Sequence, residues 1–247
     1  MKIRTFIGID DTDNLESRGT GFRARQLGET IEAAGLGTLI CVTRHQLLVN
    51  PAIPYTSHNS SASLLIETAA PADELIEHCR NFLLRESADG SDAGLCIASE
   101  SSISEKIIEW GQRAKKEVLF SKDAHTIAHD AGIFLEGLTG EKIGVIGSLA
   151  AIGLRKWGND GRVLWLRNLR ELRGIIPAKD LITQLGLDAL TDKNGVELPP
   201  DATIDTGQWM RPVMVHNKIT IFAERKTDYG TNEWQIASKD FIKGISE

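Results

Sequence analysis

Hydrophobic and polar positions along the first hundred residues switch between the strand period and the helix period. Residues 2 to 9 alternate and are rich in β-formers, then run into an acidic cluster, which predicts a strand delivering its C-terminal end into a loop. Phe22, Ala24, Leu27, Ile31 and Ala34 recur at helical spacing and stop at Gly35, predicting a helix over 20–34. A strand over about 37–48 follows, then a loop from Asn50 to Ser61 holding Pro51 and Pro54, and a strand over 62–68. Pro71 opens a helix reaching about Arg85, and a polar turn, Ser87 to Asp92, leads to a strand over Gly94 to Ser99. Ser101 to Glu117 reads as an amphipathic helix. The order β-α-β-β-α-β is the split βαβ, or ferredoxin-like, pattern.

The second half is less periodic. A short helix is expected around His125 to Ala131, followed by a glycine-rich turn. Residues 143–157 (IGVIGSLAAIGLRKW) predict a small-residue helix buried on most sides. Strands are expected at 161–167 and 213–224, irregular chain over 187–212, and a loosely held polar tail. The fold class is therefore mixed α+β. The expected division is a split βαβ domain over 1–121 packed on a second ferredoxin-like α+β domain over 122–247.

Composition narrows the class. The 247 residues are 41% hydrophobic and 25% charged, enough to bury a core without staples. The net charge of −6 argues against a molecule wrapped in nucleic acid over a broad basic face, although a local basic patch could hide in it. Cys41, Cys79 and Cys96 are odd in number and form no CxxC pair, which excludes a zinc ribbon within these residues and a disulfide framework. They read as buried reduced thiols. The N-terminal stretch does not have the build of a secretory signal, and no apolar run reaches the ~20 residues a membrane helix requires. A cytoplasmic protein without membrane contact is expected, and a homodimer is compatible with the sequence.

The sharpest chemical feature is Asp10-Asp11-Thr12-Asp13, at the end of the first strand. Two unit charges about 4 Å apart repel by about 1 kcal/mol in water and about 4 kcal/mol near a protein surface. Such a cluster calls for a cation, raised pKa values or full solvation, and Mg²⁺ suits it because that ion takes one or two carboxylates, water and substrate phosphates. The alternative is a solvated turn whose aspartates cap the next helix. An EF-hand is a poorer match, since its terminal Glu is missing. Ser17-Arg18-Gly19-Thr20-Gly21 then opens the helix. Glycines let backbone N–H groups approach an anion, and the helix dipole adds a favourable field. Together the two segments point to a metal-bridged triphosphate, with Arg18 and Arg23 as candidate phosphate contacts.

Other residues carry weaker signals. His125 and His129 share a helix face at i, i+4, but no third zinc ligand accompanies them, and ordinary polar packing competes with a phosphate or general-base role. His45 and His58 stand open in the same way. Trp157, Trp165, Trp209 and Trp234 could stack on a base or pack in a core. Gly144, Gly147 and Gly153 could approach a ligand or permit close helix packing.

Three segments carry a family resemblance. IGIDDTD (Ile7 to Asp13) with Gly19, NPAIPY (Asn50 to Tyr55) and GVIGSLAAIG (Gly144 to Gly153) occur in the order and at separations that resemble the archaeal tRNA-isoleucine agmatinylcytidine synthases. That family joins a kinase-like module to a ferredoxin-like domain. It uses ATP and Mg²⁺ to activate the C2 oxygen of a wobble cytidine, which the amine agmatine then displaces. The resemblance implies that Asp10, Asp11 and Asp13 are catalytic and metal ligands. It also implies that the loop around Asn50 to Asn59 closes over the site, bringing Asn50 and Asn59 to the nucleotide, and it favours a ligand-adjacent place for Gly144 and Gly147, while the helix start itself points to Arg18, Gly19, Thr20 and Gly21 as the phosphate cradle.

Two departures accompany it. The family's phosphorylated threonine falls three residues after the glycine aligned with Gly19, where this chain has Phe22; Thr20 is near but in another register. The family's OB-fold and zinc ribbon have no counterpart in these residues, and Thr56 or His58 stands where its loop carries a basic residue. The expectation is an ATP- and Mg²⁺-dependent, ligase- or kinase-like enzyme that activates an oxygen of a small-molecule or nucleotide acceptor for amine ligation. RNA would be reached only through another subunit. The alternative is a non-catalytic nucleotide-binding regulator.

Overall fold

A computed structural model describes residues 2–53, 59–226 and 233–246. The chain is a mixed α+β protein that divides into two compact units, Met1–Trp157 and Gly158–Glu247.

The first unit begins with β1 (Ile3–Asp10), α1 (Thr20–Ala33), β2 (Thr38–Gln46), β3 (Ser60–Thr68), α2 (Ala72–Glu86) and β4 (Gly94–Ser99). After a 3₁₀ turn come α3 (Glu105–Ala114), α4 (Ser121–Asp130), β5 (Phe134–Gly137) and α5 (Val145–Trp157). The sheet order β5-β4-β1-β3-β2 is antiparallel throughout. Its β4-β1-β3-β2 core is the split βαβ expected from the sequence. The short edge strand β5 is an addition to that expectation.

Both faces of this sheet are covered, which is why β1 is buried at consecutive positions from Thr5 to Ile9 rather than alternately. Successive side chains point to opposite faces. Ile7 and Ile9 serve the face covered by α1 and α2, while Phe6, Gly8 and Asp10 face α5. Contact with α5 is close because Gly8 has no side chain: a Cβ there would meet the Ser148 carbonyl oxygen at 2.0 Å. On its other side α5 meets α3, where a Cβ on Gly153 would lie 2.1 Å from the Ile107 carbonyl oxygen. Trp110, 1% exposed, locks the pair by donating its indole N–H to the Ile146 carbonyl at 3.1 Å. Helix α5 is thus the central support of the first unit. The boundary accordingly falls at 157/158, not at 121/122: periodicity shows the small-residue helix but not the sheet against which it packs.

The second unit holds β6 (Arg162–Trp165), β7 (Ile175–Pro177), α6 (Ala178–Leu185), β8 (Ala189–Asp192), β9 (Thr203–Asp205), β10 (Val213–Val215), β11 (Lys218–Arg225), β12 (Glu233–Ile236) and α7 (Lys239–Ser246). Strands β10 and β11 form a hairpin turned by His216 and Asn217, both at positive φ, as a two-residue turn of this hand requires. The strand order is β6-β10-β11-β12-β9-β7, with β8 parallel to β11 and β12 parallel to β9. The α+β class is as expected, but this order departs from the split βαβ expected here. The 187–212 stretch is not wholly irregular, since it supplies β8 and β9. The tail is not loose: Ile242 is 1% exposed and joins Val213, Phe222 and Ala237 in the core, with Phe241 packed alongside.

All three cysteines are buried free thiols, as expected, and burial pushes the Cys79 thiol up to about 12. Among the described residues no helix is long and apolar enough to cross a membrane.

Candidate functional site

The carboxylates at the end of β1 open into a cleft of about 270 Å³ in the first unit. Its polar edge carries Asp10, Asp11, Asp13 and Thr20, with Gly144 and Gly147 beside them. Leu47, Ile53, Val118, Leu119 and Ile146 give it an apolar wall, and Asn59, Ser60 and Glu117 add further polar groups. The N-termini of α1 (Thr20), α4 (Ser121) and α5 (Gly144 to Gly147) all reach this cleft, bringing backbone N–H groups and the positive ends of helix dipoles to the carboxylates.

Each aspartate has a different situation. Asp10 leaves the sheet on the α5 side, and a Cβ on Gly147 would lie 1.9 Å from its Oδ2, so glycine at 147 makes room for the carboxylate. Burial, then the charges of Asp11 and Asp13, hold Asp10 well above the usual carboxylate range, against a hydrogen bond from the Asp11 backbone. Asp11 has φ of 50°, a left-handed conformation that few residues besides Gly, Asn and Asp accept readily. Its carboxyl is raised to about 6, by burial first and then by the charges of Asp92 and Asp13, although the Asp92 backbone N–H donates to it. Neither Asp10 nor Asp11 has an ion-pair partner among the described residues.

Asp13 also serves the fold. Its Oδ1 accepts the Thr20 hydroxyl at 2.7 Å and the Thr20 amide at 3.2 Å, which caps α1 from outside the helix. The Thr12 amide and hydroxyl donate in turn to the Thr20 hydroxyl, at 3.2 and 3.1 Å. The capping and metal readings of the acidic turn are therefore divided between residues: Asp13 caps, while Asp10 and Asp11 are left crowded and uncompensated. Among the described residues no three His, Cys, Asp or Glu side chains form a ready metal cage. The donor set fits an ion such as Mg²⁺, which completes its shell with water and phosphate oxygens. It does not fit a structural metal.

Other sequence candidates are distributed as follows. Gly19 caps α1 with φ of −60°, and a Cβ there would meet nothing nearer than Asp13 Oδ2 at 3.9 Å, so neither conformation nor packing demands glycine. Gly19, Gly21 and Arg18 do not line the cleft, whose lining takes only Thr20 from this segment. The Arg18 guanidinium lies 4.4 Å from the Phe22 ring centre, with those of Arg23 and Arg25 at 5.8 and 5.6 Å, because cations favour an aromatic face. Arg23 is further held by Gln26 at 2.8 Å and Glu86 at 3.3 Å. Asn50 folds its carboxamide oxygen back onto the Ala52 amide, outside the lining. Asn59 lines the cleft but donates to the Leu48 carbonyl at 2.6 Å. Pro54, Tyr55, Thr56 and His58 lie outside the described residues. Gly153 serves helix packing, whereas Gly144 and Gly147 both pack tightly and line the cleft.

His45 is fully buried and hydrogen-bonded to the Ser63 hydroxyl at 2.9 Å; His125 and His129 are exposed and away from the cleft. Sequence reasoning missed Asp92, whose carboxylate accepts the Lys142 amide at 3.1 Å and that of Glu141, and so shapes the turn leading into α5. It also missed Glu117 and the N-terminus of α4. Only a polar turn before β4 hinted at Asp92, and nothing linked it to residue 11.

No family model matches the chain. Over 61% of its length it is similar to a crystal structure of TiaS with an isoleucine tRNA, AMPCPP and agmatine, at 26% identity and a TM-score of 0.53, covering 36% of that chain. The complex of TiaS with the same tRNA and ATP gives 26% identity and a TM-score of 0.54, again over 61% of this chain and 36% of that one. A tRNA fluorescent labelling enzyme gives 27% and 0.54 over the same shares. TiaS is described as an agmatidine synthetase for that isoleucine tRNA. An uncharacterised protein of Methanocaldococcus jannaschii is 30% identical over 152 residues, 61% of this chain and 50% of that protein. The chain thus has a TiaS-like fold over three-fifths of its length. It spans half the length of the curated relative and about a third of the solved structures.

Proposed function

We propose that the first unit binds ATP with Mg²⁺ in this cleft and uses it to activate an oxygen atom of an acceptor, by phosphoryl or adenylyl transfer, for displacement by an amine. The observation that carries this reading is the meeting of two uncompensated, half-buried carboxylates with the N-termini of α1, α4 and α5 in one cleft. Carboxylates alone would repel a triphosphate, and helix N-termini alone would not crowd acids together; a metal-bridged polyphosphate satisfies both. Similarity to a synthetase solved with ATP, AMPCPP and agmatine supports the same choice.

Asp10 and Asp11 hold Mg²⁺ in this reading, and Asp13 sets Thr20 and the start of α1 while offering its second oxygen. Bound there, the ion would neutralise phosphate charge that develops during transfer. Gly144 and Gly147, in the cleft, and Gly19, beside it, let backbone amides come up to the phosphates. The apolar wall of Leu47, Ile53, Leu119 and Ile146 takes the uncharged part of the nucleotide and excludes water. Catalysis is mainly positioning and charge stabilisation.

A non-catalytic nucleotide sensor is the second reading, favoured by one observation. Phe22 replaces the threonine of the family pattern, and the Thr20 hydroxyl is tied into the Asp13–Thr12 knot, 4% exposed. Incubation with Mg-ATP, a mixture of RNA and small acceptors, and agmatine or another primary amine separates the two. Amine-dependent release of ADP or AMP is the expected result, ADP marking phosphoryl and AMP adenylyl transfer. Binding without either product would replace the enzyme reading with the sensor.

A further inference from the structure

The second unit contains a cavity of its own, about 270 Å³, that the proposed chemistry does not use. Trp209 stands at its rim and is 60% exposed, unusual for the largest apolar side chain in a small protein. Arg170, Arg173, Arg211 and Lys239 surround it. Val163, Leu169 and Met210, all nearly fully buried, make the floor.

The charge balance of this cavity is one-sided. None of those four cations ion-pairs with a carboxylate among the described residues. Several cations elsewhere in the chain are paired: Arg80 with Glu136, Lys156 with Glu100, Lys193 with Glu224 and Lys226 with Asp205. Four uncompensated cations in a protein of net charge −6 mark a place where an anion belongs. Two of them are already positioned: Arg173 donates to the Leu169 and Leu172 carbonyls, and Arg211 to the Trp209 carbonyl. Each retains further guanidinium N–H groups for a phosphate.

The aromatic component selects among anions. The Arg170 guanidinium lies 5.6 Å from the Trp209 ring centre, so arginine and indole flank a slot suited to a flat ring. A sulfate or a carboxylate would use the cations and leave the indole idle. A fatty acid would use the floor and leave most of the cations idle. A nucleotide uses both, its base against Trp209 and its phosphate among the guanidiniums. Trp209, Arg211 and Lys239 also line a second, more polar hollow with Gln208, Gln235, Ser238 and Asp205, whose carboxylate is paired with Lys226, giving room for a neighbouring nucleotide.

We infer that this cavity is a nucleotide-binding site of the second unit, separate from the cleft in the first, that holds a nucleoside phosphate by stacking on Trp209 and by charge from Arg170, Arg173, Arg211 and Lys239. The nucleotide is either free or a residue of a single-stranded RNA, and the test distinguishes these sources.

The full chain is titrated in EDTA with a fluorescein-labelled single-stranded RNA of about eight nucleotides, a length within the site size of single-strand binders. AMP is added as competitor. Trp209→Ala is expected to weaken binding about tenfold to a hundredfold, while Trp209→Phe, which keeps a stacking face, stays within a few-fold of wild type. Arg173→Ala and Arg211→Ala should each flatten the salt dependence by about 0.7 in the log–log slope. Competition by AMP assigns the site to a free nucleotide; RNA binding that AMP does not displace assigns it to RNA. Trp209 is exposed, so Trp209→Ala leaves the fold and the Mg-ATP affinity of the first unit unchanged. No binding of RNA or AMP at low salt, or equal affinity for wild type and Trp209→Ala, overturns the inference.

Discussion

Replacing Asp11 with Asn is expected to stabilise the metal-free protein and to remove its response to Mg-ATP. The signs follow from the crowded carboxylates. Asp11 has an ordinary carboxyl pKa near 3.8 when unfolded and about 6 when folded, so the folded state binds more protons between those values. The Asp11 contribution to stability is therefore fully present below about pH 4 and is lost as pH rises through about 6. Asparagine carries no charge and also accepts the positive φ of residue 11, so the backbone is not disturbed. At pH 7.5 the variant should gain about 1 kcal/mol, after discounting for solvent screening at this half-exposed group, or about 2–4 °C in melting temperature. The gain should vanish near pH 4. With Mg-ATP at about a hundred times its Kd, wild type should gain about 2.7 kcal/mol and the variant almost nothing. Thermal melts over pH 4–8, with and without Mg-ATP, measure both effects. A variant less stable than wild type without metal would show that Asp11 is not held in a repulsive cluster.

Two glycines should behave in opposite ways. Gly8→Ala places a methyl group 2.0 Å from the Ser148 carbonyl oxygen and 3.1 Å from an Ile152 methyl. The first of these is backbone, and both belong to a helix fixed between β1 and α3, so the strain has no outlet. A loss of about 3 kcal/mol or more is expected, enough to unfold much of the first unit. Gly19→Ala meets only Asp13 Oδ2 at 3.9 Å and, as a change at the N-cap of α1, should cost less than about 1 kcal/mol while weakening Mg-ATP binding about tenfold. Chemical denaturation and nucleotide titration of both variants check this pair. Equal destabilisation by the two would remove the argument that glycine at 19 serves a ligand.

The same residues explain how far the sequence could be read. Strands β1 to β4 and helices α1 and α2 were legible because long segments with strong period report which face is buried. Helix α5 was legible as an element, but its place was not, since the reason for its small residues lies on β1 at Gly8 and on α3 at Ile107. Short elements of the second unit were not legible: β8 and β9 have three or four residues each, too few for a period, and α7 is anchored chiefly by Ile242 and Phe241 in a polar run. At the site, adjacency in sequence at the end of β1 pointed to Asp10, Asp11 and Asp13. The approach of Asp92 to Asp11 runs through a backbone amide distant in sequence, which no pattern records. Arg18 and Arg23 were drawn to phosphate by their position before and within a helix start. The sequence could not show that Phe22 and Glu86 would hold them elsewhere. Trp209 was visible only as one of several tryptophans; Arg211 is close to it in sequence, but Arg170 and Arg173 come from one distant segment and Lys239 from another.

In the proposed function the acidic turn and the helix N-termini act together on one metal-bridged triphosphate. Calorimetric titration of the full chain with ATP, in Mg²⁺ and again in EDTA, tests this most directly. Saturable binding at one site is expected in Mg²⁺, with affinity lower by about a hundredfold or more in EDTA, where three carboxylates face an uncompensated polyanion. Equal affinity with and without Mg²⁺, or no binding in either, would contradict it.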